Sequence, residues 1–370
     1  MDVWHLPEKD IERLKESRVI LSMSGGKDST ACALLLERHG IKFDRIFLDT
    51  GWDHPAVFDY LNDVLEPRFG KIEKLKSEKF PGGLVDSINY HGYFPSRLSR
   101  YCTREFKTDL VKYHFRKLDD DIINVVGIRR RESKSRSLSE RWQYDEVLKA
   151  DVFRPLVDHS FDDVIQMHHE GQIEPNPLYV QGFNRVGCFP CIFAKKDEVA
   201  KVANLWPKRI DQIEELENKL TREAHEKYEN DESFREKTFK KIVENVACEN
   251  VLKPRGISRG DMYRHIKGKK ELEENDLEIF LSECERLRSL GDGFKGFQDE
   301  KEKLLRHSFF EHRTTDKQTI RDVVEWSKTI RGGRQMQMFD LTAQDGCMRW
   351  GMCESPLAND ELLKIQEPNK

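Results

Sequence analysis

A chain of 370 residues, 37% hydrophobic and 35% charged, has room for one elaborated domain or two ordinary ones, and its charged share, well above the roughly 25% of an average soluble chain, implies much solvated surface or charged helix. No apolar run approaches the ~18 residues of a membrane span, and Met1 to Asp10 shows no basic stretch followed by an apolar one, so neither a membrane association nor a signal peptide is expected and the chain reads as cytoplasmic. With 63 Lys and Arg against 67 Asp and Glu, the net charge of -4 argues against wholesale coating of nucleic acid but leaves room for a local basic groove.

Residues 18–23 read as a buried strand, and a helix is expected through 30–36, after Ser24-Gly25-Gly26-Lys27-Asp28-Ser29. A second apolar run, 45–48, ends at Asp49-Thr50-Gly51, a helix follows from about Pro55, and 71–75 is the third candidate strand. Residues 107–116 are helical in pattern and lead into a fourth strand at 122–127. Strands alternating with helices imply right-handed βαβ units, hence an α/β fold with a doubly wound, mainly parallel sheet and ligands at the carboxyl ends of its strands. Beyond Asp151 the pattern turns to loops rich in Pro and Asn, such as Asn176-Pro177-Leu178-Tyr179, leading to Gly187-Cys188-Phe189-Pro190-Cys191. A helix is expected at 161–170, where His168 and His169 read as structural. From about 207 to 312 charge dominates in the manner of amphipathic helices, and 320–326 is a short helical segment. The organisation expected is a nucleotide-binding core at 1–195, a charged helical insertion at 196–315, and a C-terminal segment, 316–370, that packs on the core.

The string from Ser24 to Ser29 carries the strongest chemical signal. Two glycines let the backbone turn tightly from strand to helix, and the helix N-terminus offers unpaired N–H groups and a positive dipole end to phosphate oxygens. Lys27 adds a point charge, and the hydroxyls of Ser22, Ser24, Ser29 and Thr30 can donate to the same oxygens. The spacing differs from a Walker A loop. It resembles the PP-loop of the ATP pyrophosphatases, a family that binds the β- and γ-phosphates and cleaves ATP to AMP and pyrophosphate. Asp49-Thr50-Gly51-Trp52-Asp53-His54-Pro55 is similar to a string of the phosphoadenosine phosphosulfate (PAPS) reductase branch of that superfamily. Gly127-Ile128-Arg129-Arg130-Arg131-Glu132-Ser133-Lys134-Ser135-Arg136 matches that branch's G-x-R-x-x-E-S-x-x-R pattern, and Arg suits phosphate because it donates bidentately. A glycine helix cap, an Asp-Gly turn and a solvated charge run are the structural alternatives for the three strings taken singly; their order along an α/β pattern favours function.

The resemblance implies ATP with magnesium as cofactor. Ser22, Ser24, Gly25, Gly26, Lys27, Asp28, Ser29 and Thr30 would hold the phosphates, Asp49 and Thr50 would lie by the ribose or a magnesium-bound water, and Gly127 and Arg129 would close the site. Lys27, Asp28, Arg129 and Arg136 are the expected catalytic residues, Arg129 and Arg136 facing nucleotide phosphates or a phosphodiester substrate.

Eight cysteines in a cytoplasmic chain of this size point to metal or sulfur chemistry rather than a disulfide scaffold. One CxxC pair is compatible with a redox pair, a zinc half-site or two iron–sulfur ligands. Iron–sulfur members of the PAPS reductase branch resemble this chain in supplying cysteines from an R-x-C-T-like loop and a later CxxC, which correspond to Cys102, Cys188 and Cys191. That implies a [4Fe-4S] cluster, with zinc as the alternative, and a fourth ligand from Cys353 or else Cys347. The branch commonly has a Cys-Cys doublet where this chain has Tyr101-Cys102, which leaves that ligand open. Cys32, Cys248 and Cys284 read as inert thiols. The tail lacks the Glu-Cys-Gly-(Leu/Ile)-His string with which the reductases attack their sulfonate. The pattern is most similar to the ATP pyrophosphatases of DNA phosphorothioation systems, which implies adenylation of a DNA backbone oxygen, release of pyrophosphate, and sulfur supplied by a cysteine desulfurase or another transfer partner. Thiolation of a tRNA, a PAPS-type reductase and a nucleotide-sensing regulator are the rival expectations.

Overall fold

The computed structural model describes residues 2–96, 98–118, 121–132, 136–310 and 319–329. These divide into two compact units, one holding the described residues up to 90 together with 95–205 and 327–329, the other 91–94 and the described residues of 206–326.

The first unit is built on a six-stranded sheet, β1 (Arg18–Ser22), β2 (Asp44–Leu48), β3 (Glu73–Leu75), β4 (Ile122–Val125), β5 (Trp142–Asp145) and β6 (Ala150–Phe153), in the order β3-β2-β1-β4-β6-β5. β1 pairs in parallel with both β2 and β4, Ile20 lying opposite Asp44 on one side and Asn124 on the other. Ile20, Leu21 and Val125 are fully buried, as expected of central parallel strands covered on both faces. The chain moves outward from β1 to β2 and β3 on one side and then returns to β4 on the other, so the direction of winding reverses between β1 and β4. A crevice at their carboxyl ends is the place where this architecture binds ligands.

The mainly parallel sheet agrees with the sequence-based expectation, but β5 lies in a stretch to which the sequence assigned no element, and β6 runs past Asp151 into the segment expected to be loop. These two strands are antiparallel, with Trp142 opposite Phe153. Their order comes from tertiary contacts: the Trp142 ring packs 4.4 Å from that of Phe153, and its indole N–H donates to Asp10 at 2.9 Å. The helix expected at 107–116 also begins earlier, since the chain is already helical from Tyr101.

Two helices brace the crevice. α1 (Lys27–Arg38) is buried continuously from Ser29 to Leu36. The helix Phe161–Glu170 opens with a capping box between Ser160 and Asp163 and ends at Gly171, where an added Cβ would lie 2.7 Å from Leu34.

The second unit is helical: Pro207–Asn230, Glu232–Ala247, Arg259–Ile266, Glu274–Ser289, Phe297–Leu305 and Ile320–Ser327 are its main elements. Its core gathers Ile242, Val243, Leu252, Phe280, Leu287 and Phe297, the apolar stripes of helices whose other faces are charged. Among the described residues no helix is long and apolar enough to cross a membrane.

Candidate active site

At the carboxyl end of β1 the chain passes through Gly25, at φ 71°, into α1, whose N-cap residue Gly26 contributes no side-chain cap. A Cβ on Gly25 would stand 3.2 Å from Val57, so both conformation and space call for glycine. The turn is laced by its own hydroxyls: the Ser24 N–H donates to Ser29 Oγ at 3.2 Å, and that hydroxyl donates to the Gly26 carbonyl at 2.9 Å. The helix N-terminus thus keeps its positive end toward the crevice.

A cleft of about 400 Å³ opens there and brings together Ser22, Ser24, Gly26, Lys27, Asp28 and Ser29 with Thr50, Gly127 and Arg136. Gly127 is required by crowding, since a Cβ would lie 2.9 Å from the backbone carbon of Asp28. The Asp28 carboxylate accepts from Lys27 Nζ at 2.6 Å and Arg129 Nε at 2.7 Å. Burial alone would raise its pKa, but the charges of Lys27 and Arg129 outweigh burial and hold the carboxyl below its ordinary range. Arg136 pairs with Glu132. Burial lowers the pKa of its guanidinium, and the like charge of Arg185, then of Arg129 and Arg100, lowers it further.

Four of the expected residues are set back from the cleft. Gly25 shapes the turn. Thr30 is fully buried and donates to the Gly26 carbonyl at 3.2 Å. Asp49 accepts from the Gly51 N–H at 2.8 Å and lies 3.3 Å from Lys76 Nζ, which ties it into its own turn. Arg129 is buried and acts through Asp28.

The cleft also takes in Asp53, Lys107, Tyr179, Asn184 and Arg185, none of which the sequence singled out as a ligand-binding residue. Asn176 caps the short helix Pro177–Val180, and this delivers the Tyr179 hydroxyl to accept from the Lys27 N–H at 3.2 Å. The Asn-Pro pair was the available signal, legible as a turn but silent about its target. His168 is buried with Nε2 2.9 Å from the Lys27 carbonyl, and burial pushes its pKa down. It braces the loop from behind, while His169 is exposed.

The loop after β2 is zipped to the CxxC loop. The Phe189 N–H donates to the Trp52 carbonyl at 2.9 Å, the Trp52 indole donates to the Pro190 carbonyl at 3.1 Å, and Asp53 bridges Cys188 through the backbone. Burial pushes the Cys188 thiol up to about 12, with Lys107 opposing and Asp53, Cys191 and Cys102 adding. Burial likewise raises Cys102, and Cys191 adds to it. The three thiols therefore lie within electrostatic reach of one another beside the cleft. As soft donors they suit an iron–sulfur cluster or zinc, yet among the described residues no group of three or more His, Cys, Asp or Glu is placed to hold one ion. Cys347 and Cys353 lie outside the described residues. Cys32, Cys248 and Cys284 are buried free thiols.

A glycine loop leading into a helix N-terminus at the switch point of a mainly parallel sheet defines a nucleotide-binding α/β protein. The phosphoadenosine phosphosulfate reductase domain matches residues 18–194. An uncharacterized 37.8 kDa protein of Escherichia phage 186 is 32% identical over 247 residues, 54% of this chain and 74% of its own length. An uncharacterized protein of Methanocaldococcus jannaschii is 31% identical over 209 residues, 55% of this chain, and the match spans only 42% of its length. The adenosine 5'-phosphosulfate reductase of Oceanobacillus iheyensis is 23% identical over 201 residues, 51% of this chain and 77% of its own. The chain belongs to the PAPS reductase-like branch of the PP-loop superfamily.

Proposed function

We propose that the protein is an ATP pyrophosphatase that adenylates an oxygen of a DNA backbone phosphate so that sulfur can replace it. The observation that carries this reading is the loop itself: a glycine turn, an N-terminus without a side-chain cap and a buried Lys27 converge on one cleft. In the reaction the acceptor oxygen attacks the α-phosphorus of ATP, the bond from that phosphorus to the bridging oxygen breaks, and pyrophosphate leaves with the electron pair. Backbone N–H groups of α1 and the Lys27 ammonium hold the departing phosphates, and Arg136 offsets charge that develops on the α-phosphoryl oxygens. Asp28 fixes Lys27 and Arg129 in place rather than reacting. Magnesium, when bound, neutralises the phosphate oxygens. The terminal sulfur of a persulfide from a cysteine desulfurase or similar partner then attacks the activated phosphorus, and the phosphorus–oxygen bond to AMP breaks. An external thiol cleaves the remaining S–S bond, taking up the donor cysteine as a disulfide and leaving one sulfur on phosphorus. A [4Fe-4S] cluster, or zinc, would draw on Cys102, Cys188 and Cys191, which would have to come closer together than they stand, with Cys353 or Cys347 as the fourth ligand.

A second reading, a reductase of a sulfated adenine nucleotide, is favoured by the three thiols beside the cleft and by the name of the Oceanobacillus relative. Anaerobic incubation with α-labelled Mg-ATP, with and without DNA or tRNA, separates the readings. AMP and pyrophosphate, lost in Lys27→Ala, are the expected products, and stimulation by tRNA alone would move the acceptor to RNA. If ATP binds but stays intact under every condition, adenylation is wrong and a reductase or a nucleotide sensor remains.

A further inference from the structure

The cleft carries more positive charge than the nucleotide loop uses. Lys27 and Arg129 are engaged by Asp28, and Glu132 serves both Arg129 and Arg136. Two further guanidinium groups stand beside them. Arg185 lines the cleft from the segment leading into Cys188. Arg100 immediately precedes the helical turn that carries Cys102; it donates to Thr103 Oγ1 at 3.2 Å and lies over the Phe193 ring at 5.2 Å. Both are exposed, and neither has a carboxylate partner among the described residues. Both reach Arg136 strongly enough to disfavour its charge. Of these three guanidinium groups, from separate stretches of chain, only Arg136 has a carboxylate partner among the described residues, Glu132, which it shares with Arg129. Gathering like charges costs free energy that a bound anion recovers.

We infer that Arg100, Arg136 and Arg185 form a track for the phosphodiester backbone of a nucleic acid, laid from the nucleotide cleft toward the CxxC loop. The inference rests on the proposed reading for its acceptor. A single terminal phosphate is satisfied by one bidentate arginine; three arginines, two of them open to solvent, fit a ligand with repeated phosphates that continues past the cleft. The Phe193 ring and the Thr103 hydroxyl position Arg100, whose other N–H groups can reach a phosphate. Helix amides and Lys27 serve the triphosphate and Arg136 stands where the two substrates meet, so Arg100 and Arg185 are left to the second substrate.

The test uses the full chain and fluorescein-labelled 20-base-pair duplex DNA, with a hairpin RNA as a parallel arm, titrated by anisotropy over a range of salt with a fluorescent ATP analogue measured alongside. For the double variant Arg100→Ala/Arg185→Ala, the slope of log affinity against log salt on DNA should fall by about 1.8, the loss of two phosphate contacts, and affinity by roughly tenfold or more, while the ATP analogue changes less than about twofold. Arg100→Lys/Arg185→Lys should retain most of the slope, which guards against a folding defect. Loss of slope on either nucleic acid supports the track. An unchanged slope, no binding of DNA or RNA by the native chain, or an equal loss of ATP-analogue affinity overturns it. The two proposals fail separately: the slope can fall by two contacts in a protein that never cleaves ATP, and AMP can be released by one whose slope is unmoved.

Discussion

Buried charge is put to opposite uses in the two units. In the sheet unit Lys27, Asp28 and Arg129 lie side by side at the wall of a cleft, where an incoming phosphate can take over a partner. In the helical unit the buried carboxylates are closed off. Glu300 accepts from Arg259 at 2.9 and 3.2 Å and from Asn245 at 2.7 Å, while Glu217 accepts the N–H groups of Phe309 and Ile320 at 2.8 Å each. A buried charge whose partners are all its own chain works for the fold, whereas one that opens on a cleft is available to a ligand.

Glu300→Ala puts the greatest strain on this contrast. It leaves the Asn245 amide without its acceptor and the Arg259 guanidinium with Glu249 alone, and should destabilise the helical unit by about 1–3 kcal/mol, read by chemical denaturation. Nucleotide affinity of the folded protein should not move; if it fell in step with stability, the division of labour would be false. Lys27→Ala is the converse. Release of AMP and pyrophosphate should drop by about a hundredfold, equivalent to ~2.7 kcal/mol of lost charge stabilisation. Unfolding should shift by less than about 1 kcal/mol, because Asp28 keeps Arg129 as its partner. A large loss of stability instead would make Lys27 a structural ion like Arg259.

The parts of the sheet unit that are local were legible in the sequence. Ser24 to Ser29 between an apolar strand and an apolar helix specifies its own geometry, and β1, β2 and β4, three of the five parallel strands, announce themselves by apolar runs. Trp142-Gln143-Tyr144-Asp145 does not, because it is ordered by β6, Phe153 and Asp10 rather than by its own pattern. Tyr179 and Arg185 are single residues from a short helix and a loop, and their place in the cleft follows from the order of strands and the pinning of the CxxC loop by Trp52. Glu217 sits in Glu214-Glu215-Leu216-Glu217, which reads as solvated helix; that it alone turns inward depends on where residues 309 and 320 return to the helix Pro207–Asn230.

Glu217 gives the smallest effect and the sharpest signature. Burial pushes its carboxyl up to about 7, overriding the two N–H donors, with the negative charges of Glu214 and Asp322 adding. The folded chain therefore keeps a proton that the unfolded chain has lost between about pH 4.5 and 7. The stability this group contributes is complete below that window, declines as pH rises through it and is level above it. Glu217→Gln cannot ionise, so urea unfolding at pH 5, 6 and 7.5 should show a variant weaker than the native chain by about 1 kcal/mol or less at pH 5. That gap should narrow or reverse at pH 7.5 as the native chain loses its protonated form. A decline of equal slope in both proteins would assign the pH dependence to other carboxylates and leave Glu217 as an ordinary ionised cap on two backbone N–H groups.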